Sequence, residues 1–281
     1  MHYNSSNYHI AVLGYPKSGK SIFITSFVEH LIHGRVSGYK VEKIEKETAK
    51  KFKNDIKCLN SRTPLDQTKT EPVFSYIIDI SMGKLLSKKY FKVQIGDFSG
   101  DNSAQFSEGY RQWFHKNPSF VWVMQADAFI FVVDLAEVLA QYDDDFYCEK
   151  VSDGIFEAWK KIEQSHLGGK KNLKNKPIVL LFCKTDLLQT FYELLGPKPQ
   201  DKMKIKMFQL GFSKKLLPQT TNIKKDLDPD LYALIEEKFG DIIHYLKRKS
   251  KRYNTVFFSH FLTLNYLPIG IEKVIDSILP K

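Results

Sequence analysis

The sequence predicts an α/β protein of three layers, a mainly parallel sheet of about six strands with one antiparallel strand and helices on both faces. Three observations carry this. Phe129 to Val133 and Ile178 to Phe182 are continuously apolar, the signature of strands buried on both faces of a parallel sheet. A third apolar run, Tyr8 to Leu13, leads straight into the glycine-containing turn Gly14-Tyr15-Pro16-Lys17-Ser18-Gly19-Lys20-Ser21. Strand and helix patterns then alternate along the chain, as in doubly wound sheets.

The elements follow in order. After the Tyr8 to Leu13 strand, the apolar residues Ile22, Phe23, Phe27 and Leu31 have helical spacing over Ile22 to His33. A polar, lysine-rich stretch from Gly34 to Thr70 contains an amphipathic helix predicted over Val41 to Leu59, its apolar positions being Val41, Ile44, Phe52, Ile56 and Leu59. Strands are predicted at Val73 to Ile80 and Tyr90 to Ile95, close enough to form an antiparallel hairpin. A further strand is expected at Thr255 to Phe258, and helices near Ser107 to Trp122, Ile155 to Glu163, Asp230 to Arg248 and Ile271 to Leu279.

The turn from Gly14 to Ser21 is a complete G-x-x-x-x-G-K-[ST] phosphate-binding loop between a strand and a helix. Glycines let backbone N–H groups turn inward around phosphate oxygens, Lys20 neutralises charge, and the Ser21 hydroxyl suits Mg²⁺. Gly14, Pro16, Lys17, Ser18, Gly19, Lys20, Ser21 and Ile22 are therefore expected to surround the phosphates, on a helix N-terminus whose partial charge is positive.

Two later segments select the nucleotide. The strand ending at Ile95 runs into Asp97-Phe98-Ser99-Gly100, a D-x-x-G at a strand's carboxyl end. Asp97 is expected to hold the Mg²⁺ shell and the Gly100 N–H to meet a γ-phosphate. The strand Ile178 to Phe182 enters Cys183-Lys184-Thr185-Asp186. Asp186 is placed to accept the N1–H and 2-amino hydrogens of guanine, and the Lys184 stem to lie along the base. Adenine offers neither hydrogen in that arrangement and would leave the carboxylate unpaired, a discrimination of roughly 10⁴. Ser259 and His260 follow the last strand, where a loop contact to the guanine carbonyl is expected.

With these boxes the chain resembles a P-loop GTPase of the Ras-like and translation-factor-related class. The resemblance follows element order from Tyr8 to Leu279, while specific similarity is confined to the boxes. It implies a Mg²⁺·GTP/GDP cycle, two mobile switches and a protein effector or activating protein. It also implies a switch threonine ahead of the second strand, ligating Mg²⁺ and the γ-phosphate; Thr68 and Thr70 are both placed for it, Thr68 being preferred.

The departures are informative. Cys183 stands where the base box has asparagine, which predicts guanine preference with reduced affinity. Asp101 stands where Ras-like members place the water-positioning glutamine, so hydrolysis is expected to be slow and to rely on Gln105, His115 or a partner's arginine. Lys17, at the loop tip, is similar to the basic internal finger of guanylate-binding proteins. The expected activity is thus GTP hydrolysis at a low intrinsic rate. The alternatives are a GTP-binding scaffold with little hydrolysis and, less favoured, an ATPase.

Composition sets the remaining bounds. The 281 residues and 43% hydrophobic content suit a single nucleotide-binding domain over 1–281, with insertions at about 34–70 and 187–254. No apolar run is long enough to cross a bilayer, the N-terminus lacks a signal-peptide core, and the three cysteines have no metal-ligand spacing, so a cytoplasmic protein with reduced thiols is expected. The formal charge is +10, concentrated in the lysine-rich stretch 198–225 and in Lys247, Arg248, Lys249, Lys251 and Arg252. Such surfaces attract an acidic protein, an anionic membrane or nucleic acid.

Overall fold

The computed structural model describes residues 6–35, 38–61, 63, 65, 73–83, 88–98, 122–140, 145–184, 229–258 and 270–280. In chain order the elements are β1 (Ser6–Gly14), α1 (Lys20–Ile32), β2 (Tyr39–Ile44), α2 (Lys46–Asn60), β3 (Val73–Met82), β4 (Lys89–Phe98) and β5 (Ala128–Asp134). They continue with α3 (Leu135–Ala140), α4 (Phe146–Ser165), α5 (Gly169–Leu173), β6 (Ile178–Cys183), α6 (Pro229–Lys249), β7 (Tyr253–Phe257) and α7 (Ile271–Ile278). The helix expected near Ser107 to Trp122 lies almost wholly outside the described residues.

The strands form one seven-stranded sheet in the order β2-β3-β4-β1-β5-β6-β7. Only β3 runs against its neighbours, pairing antiparallel with both β2 and β4, while β4, β1, β5, β6 and β7 pair in parallel. The expected hairpin, the single reversed strand and the buried parallel strands are all present. Every residue of β5 and of β6 is buried.

The seventh strand is β2, where the sequence predicts the first turns of a helix. Val41 and Ile44 have helical spacing, yet Tyr39 and Val41 alternate in a strand that pairs with β3 through a register shift between Val41 and Lys43. The helix starts later because Glu45 caps it, its carboxylate accepting from the N–H groups of Glu47 (2.8 Å) and Thr48 (3.1 Å). Thr48 then ties α2 to the sheet by accepting from Ile77 N–H at 2.8 Å.

Two cores flank the sheet. On one face α1 and α7 cover Ile10, Val12, Ile78, Ile80, Val93, Ile130 and Val179, with Phe52 of α2 at the margin. On the other, α3 to α6 cover Leu13, Phe129, Phe131, Val133, Leu180 and Phe182. Fully buried Trp159 of α4 sets its ring edge-on to Phe129 at 5.2 Å, joining helix to sheet at the centre of this second core.

This order makes β1 the point where successive connections turn to opposite sides, toward β4 on one and β5 on the other. Open α/β sheets leave a crevice there, at the carboxyl ends of the strands. Gly14, Asp97, Asp134 and Cys183 all end strands at this edge, held in register by the pairs Val12 with Asp97, Gly14 with Val132 and Asp134 with Cys183.

Candidate functional site

The site is built on the turn between β1 and α1. Tyr15 to Ser18 close it with a Ser18 N–H to Tyr15 carbonyl bond of 3.3 Å. Pro16 occupies the second position and Lys17 the third, with a positive φ of 62°, the pattern of a type II turn. A lysine in this left-handed region costs about 1–2 kcal/mol relative to ordinary backbone. The Lys17 side chain is exposed at the loop tip.

Two glycines are fixed by close approach. A Cβ on Gly14 would lie 2.6 Å from the Val132 carbonyl oxygen, so only glycine lets β1 end against β5 at this spacing. Gly19 has a φ of 98°, and a Cβ there would also lie 3.3 Å from the Cβ of Cys183. Cys183 thus packs directly beneath the β1–α1 loop. The amide that an asparagine would bring to this position is replaced by van der Waals contact.

Lys20 is buried, with its ammonium donating to the carbonyls of Gly14 (2.8 Å) and Tyr15 (2.7 Å). It therefore spans the loop from within. Ser18 is also buried, and its Oγ has no hydrogen-bond partner among the described residues. Tyr15 anchors the loop outward, its hydroxyl donating to the Lys150 carbonyl of α4 at 3.0 Å while the Lys150 ammonium sits 5.4 Å from the ring centroid. Burial, with some help from the Asp153 charge, pushes the Tyr15 pKa up to about 12, so the phenol stays a donor.

In the first turn of α1, Ser21 Oγ donates to Asp97 Oδ2 at 3.0 Å. Asp97 is fully buried at the end of β4, and its second oxygen, Oδ1, has no hydrogen-bond partner among the described residues. Burial raises the Asp97 pKa; the Ser21 hydrogen bond and the positive charges of Lys20 and Lys51 oppose that rise. A hydroxyl and a carboxylate held together, with one carboxylate oxygen unmatched, are the hard oxygen donors that Mg²⁺ prefers. These residues fit that ion.

Behind Asp97 lies a polar cluster that the sequence did not single out. Asp55 of α2 is buried and accepts from Tyr76 Oη (2.7 Å), from the Lys51 ammonium (3.0 Å) and, at 3.4 Å, from Thr25 Oγ1. Lys51 also lies 5.5 Å from the Phe74 ring centroid, and Phe74 is the residue opposite Asp97 in the β3–β4 ladder. The signal was available: Asp55 lies three residues after Phe52 and four before Leu59, within the apolar stripe of α2. A carboxylate on a buried stripe needs partners.

Asp134 is a second residue the sequence reading passed over. Its Oδ1 accepts from the N–H groups of Ala136 (3.1 Å) and Glu137 (3.3 Å), starting α3. Its Oδ2 accepts from the ammonium of Lys184. Lys184 leaves β6 with a φ of 65°, so the turn after that strand is tied at its first residue to the end of β5. An acid ending a continuous apolar strand was the visible sign.

The structure thus brings together Gly14, Pro16, Lys17, Ser18, Gly19, Lys20, Ser21, Ile22 and Asp97, with Cys183 and Lys184 alongside. Thr68, Thr70, Gly100, Asp101, Gln105, His115, Asp186, Ser259 and His260 lie outside the described residues.

No protein-family model matches this chain, and no curated protein does. Among solved structures, the Roco2 RocCORdC of Methanosarcina barkeri bound to GDP is similar over 96% of this chain, at 14% sequence identity and a TM-score of 0.33. The match covers 47% of that chain, so the present chain spans about half its length. The fold assignment rests on this chain's own strand order and on the loop between β1 and α1.

Proposed function

We propose that this chain is a Mg²⁺-dependent GTP-binding protein that hydrolyses GTP to GDP at a low intrinsic rate and acts as a nucleotide-controlled switch for a protein partner. The observation that supports it is the Ser21–Asp97 pair, whose Asp97 Oδ1 has no partner among the described residues, set beside a phosphate-type loop at the carboxyl edge of the sheet. Guanine preference rests on the sequence Cys183-Lys184-Thr185-Asp186.

Each group has a task in this reading. The loop backbone receives the phosphate oxygens, and the N-terminus of α1 adds its partial positive charge. Lys20 supplies a full charge from a buried position, where a charge is worth more than in water. Ser21 and Asp97 would hold a magnesium ion, which would supply positive charge to neutralise the phosphates. Asp134 holds the Lys184 head at the end of β5, just before the Thr185-Asp186 sequence. Lys17, exposed at the tip in a strained conformation, stands where a charge could balance the bridging oxygen. Asp101 in the place of a water-positioning glutamine is the reason for slow turnover, and it keeps the scaffold reading as the rival.

The test is equilibrium binding of GDP, a non-hydrolysable GTP analogue and an ATP analogue, with and without Mg²⁺, to wild type and Asp186→Ala. Guanine preference lost in the variant, with at least a tenfold drop in GDP affinity, supports the reading. Equal or tighter ATP binding overturns it. Unhydrolysed GTP after long incubation leaves the scaffold standing in place of the enzyme.

A further inference from the structure

At the amino edge of the parallel strands, opposite the phosphate loop, two lysine-rich segments far apart in sequence are joined into one surface. The first is Lys170, Lys171 and Lys174, on α5 and just after it; the second is Lys247, Arg248 and Lys251, at the end of α6 and before β7. They are joined by backbone. Lys251 N–H donates to the Lys174 carbonyl at 3.0 Å, Ile178 N–H donates to the Arg252 carbonyl at 3.1 Å, and Ser250 Oγ donates to the Lys176 carbonyl at 2.6 Å.

All six side chains are exposed, and none is in an ion pair among the described residues. The acids next to them are already engaged: Asp127 accepts from Lys176, and Glu163 accepts from Lys249 at 2.9 Å. The local field is therefore positive and uncompensated by these neighbours. Within the same surface Leu167, which follows α4 and precedes Lys170, is 70% exposed, the most exposed large apolar side chain among the described residues.

We propose that this edge docks on an anionic lipid bilayer, with the six cations against the headgroups and Leu167 entering the interface. A lipid surface is favoured over nucleic acid because the protruding side chain is aliphatic. Single-stranded nucleic acid is held by aromatic rings that stack on bases, and a phosphodiester backbone offers leucine nothing. A bilayer rewards both features at once, charge against its surface potential and apolar area beneath it. Among the described residues no helix is long and apolar enough to cross a membrane; the proposed contact is peripheral. Docked this way, the phosphate loop faces away from the membrane and stays open to solvent.

The test is co-sedimentation of the full chain with phosphatidylcholine vesicles containing 30% phosphatidylserine, and with phosphatidylcholine alone. Wild type is expected to bind the anionic vesicles and to be released by salt. Each cation near such a surface is worth about fivefold in affinity. Reversing three to glutamate, as Lys170→Glu/Lys171→Glu/Lys174→Glu or as Lys247→Glu/Arg248→Glu/Lys251→Glu, should cost about 100-fold or more, to a similar extent in both. The control is Lys50→Glu/Lys53→Glu/Lys57→Glu, which changes net charge equally on the exposed side of α2. Leu167→Ser should weaken binding severalfold at unchanged charge, and thermal unfolding verifies that each variant is folded.

Equal loss in the control and the two patch variants overturns the proposal in favour of net charge or the 198–225 lysines. Tighter binding to single-stranded RNA than to vesicles, indifferent to Leu167→Ser, overturns it in favour of nucleic acid. Absence of vesicle binding by wild type overturns it outright.

Discussion

The two halves of the sheet are held by different physics. In the parallel half β5 and β6 are buried along their whole length, and their side chains feed the two cores alternately: Phe129, Phe131 and Val133 on one face, Ala128, Ile130 and Val132 on the other. In the antiparallel half the buried apolar positions of β3 alternate, Tyr76, Ile78 and Ile80, with the polar Ser81 buried beside the last of them, and the edge strand β2 has no buried residue. β2 and α2 add directional polar bonds to the partial burial of Tyr39, Val41, Ile44 and Phe52. Glu42 accepts from Ser81 Oγ (2.7 Å) and from Lys88 (2.6 Å), Thr48 caps a backbone N–H of β3, and Asp55 gathers Tyr76, Lys51 and Thr25. Non-directional burial leaves a continuous mark in the sequence. Directional bonds between distant residues leave almost none.

The contrast can be broken at its strongest point first. Phe182→Ala removes a ring stacked on Phe257 at 5.3 Å and edge-on to Phe239 at 5.4 Å. It is expected to cost about 3–5 kcal/mol, measured by denaturant unfolding. A loss under 1 kcal/mol would show that the parallel half is not held by its core.

In the other half Asp55→Ala leaves Tyr76 Oη and the largely buried Lys51 ammonium without their acceptor. The expected loss is about 2–3 kcal/mol, and Lys51→Met in the same background should restore part of it. If the chain binds Mg²⁺ and nucleotide as proposed, the Mg²⁺ dependence of that binding should shift in Asp55→Ala, because Lys51 and Asp55 both lie behind Asp97. A core variant of equal stability should leave it unmoved.

The smallest effect is at the edge. Hydrogen bonds from Lys88 and Ser81 depress the Glu42 pKa from 4.5 to about 2. A depressed carboxylate favours the fold above its unfolded pKa, and that contribution fades as pH falls from about 4.5 through about 2. Carboxyl NMR should find Glu42 still ionised at pH 3, and the stability difference between wild type and Glu42→Gln should shrink across that window. A Glu42 titration near 4.5 would show that the Ser81 and Lys88 bonds do not hold β2 to the hairpin.

Much of the fold was legible because the parallel strands and the helices α1, α6 and α7 announce themselves locally, whereas α3 and α5 were not foreseen and α4 begins at Phe146, well before the expected Ile155. β1, the phosphate turn and α1 appear as one uninterrupted pattern, and α6 and α7 fall within about a residue of their expected ends. β2 was not legible. Val41 and Ile44 suit either period, and the decision lies with Glu45 as cap and with β3 as partner. In the site, the loop residues and Asp97 were legible as motif. Asp55 and Asp134 showed only as acids within apolar patterns, since the partners that give them their place, Tyr76 and Lys184, lie far away in the chain.

By itself, then, the sequence determined the three-layer architecture, the strand that precedes the phosphate loop and the chemistry of the residues in it, because periodicity and turn composition are local and act within one element. Only the tertiary structure decided that Asp97 meets Ser21, that Cys183 packs under Gly19 and that Asp134 holds Lys184. It also decided that two remote lysine runs share one edge. These are contacts between elements, and their geometry exists only once the sheet has set its strand order and register.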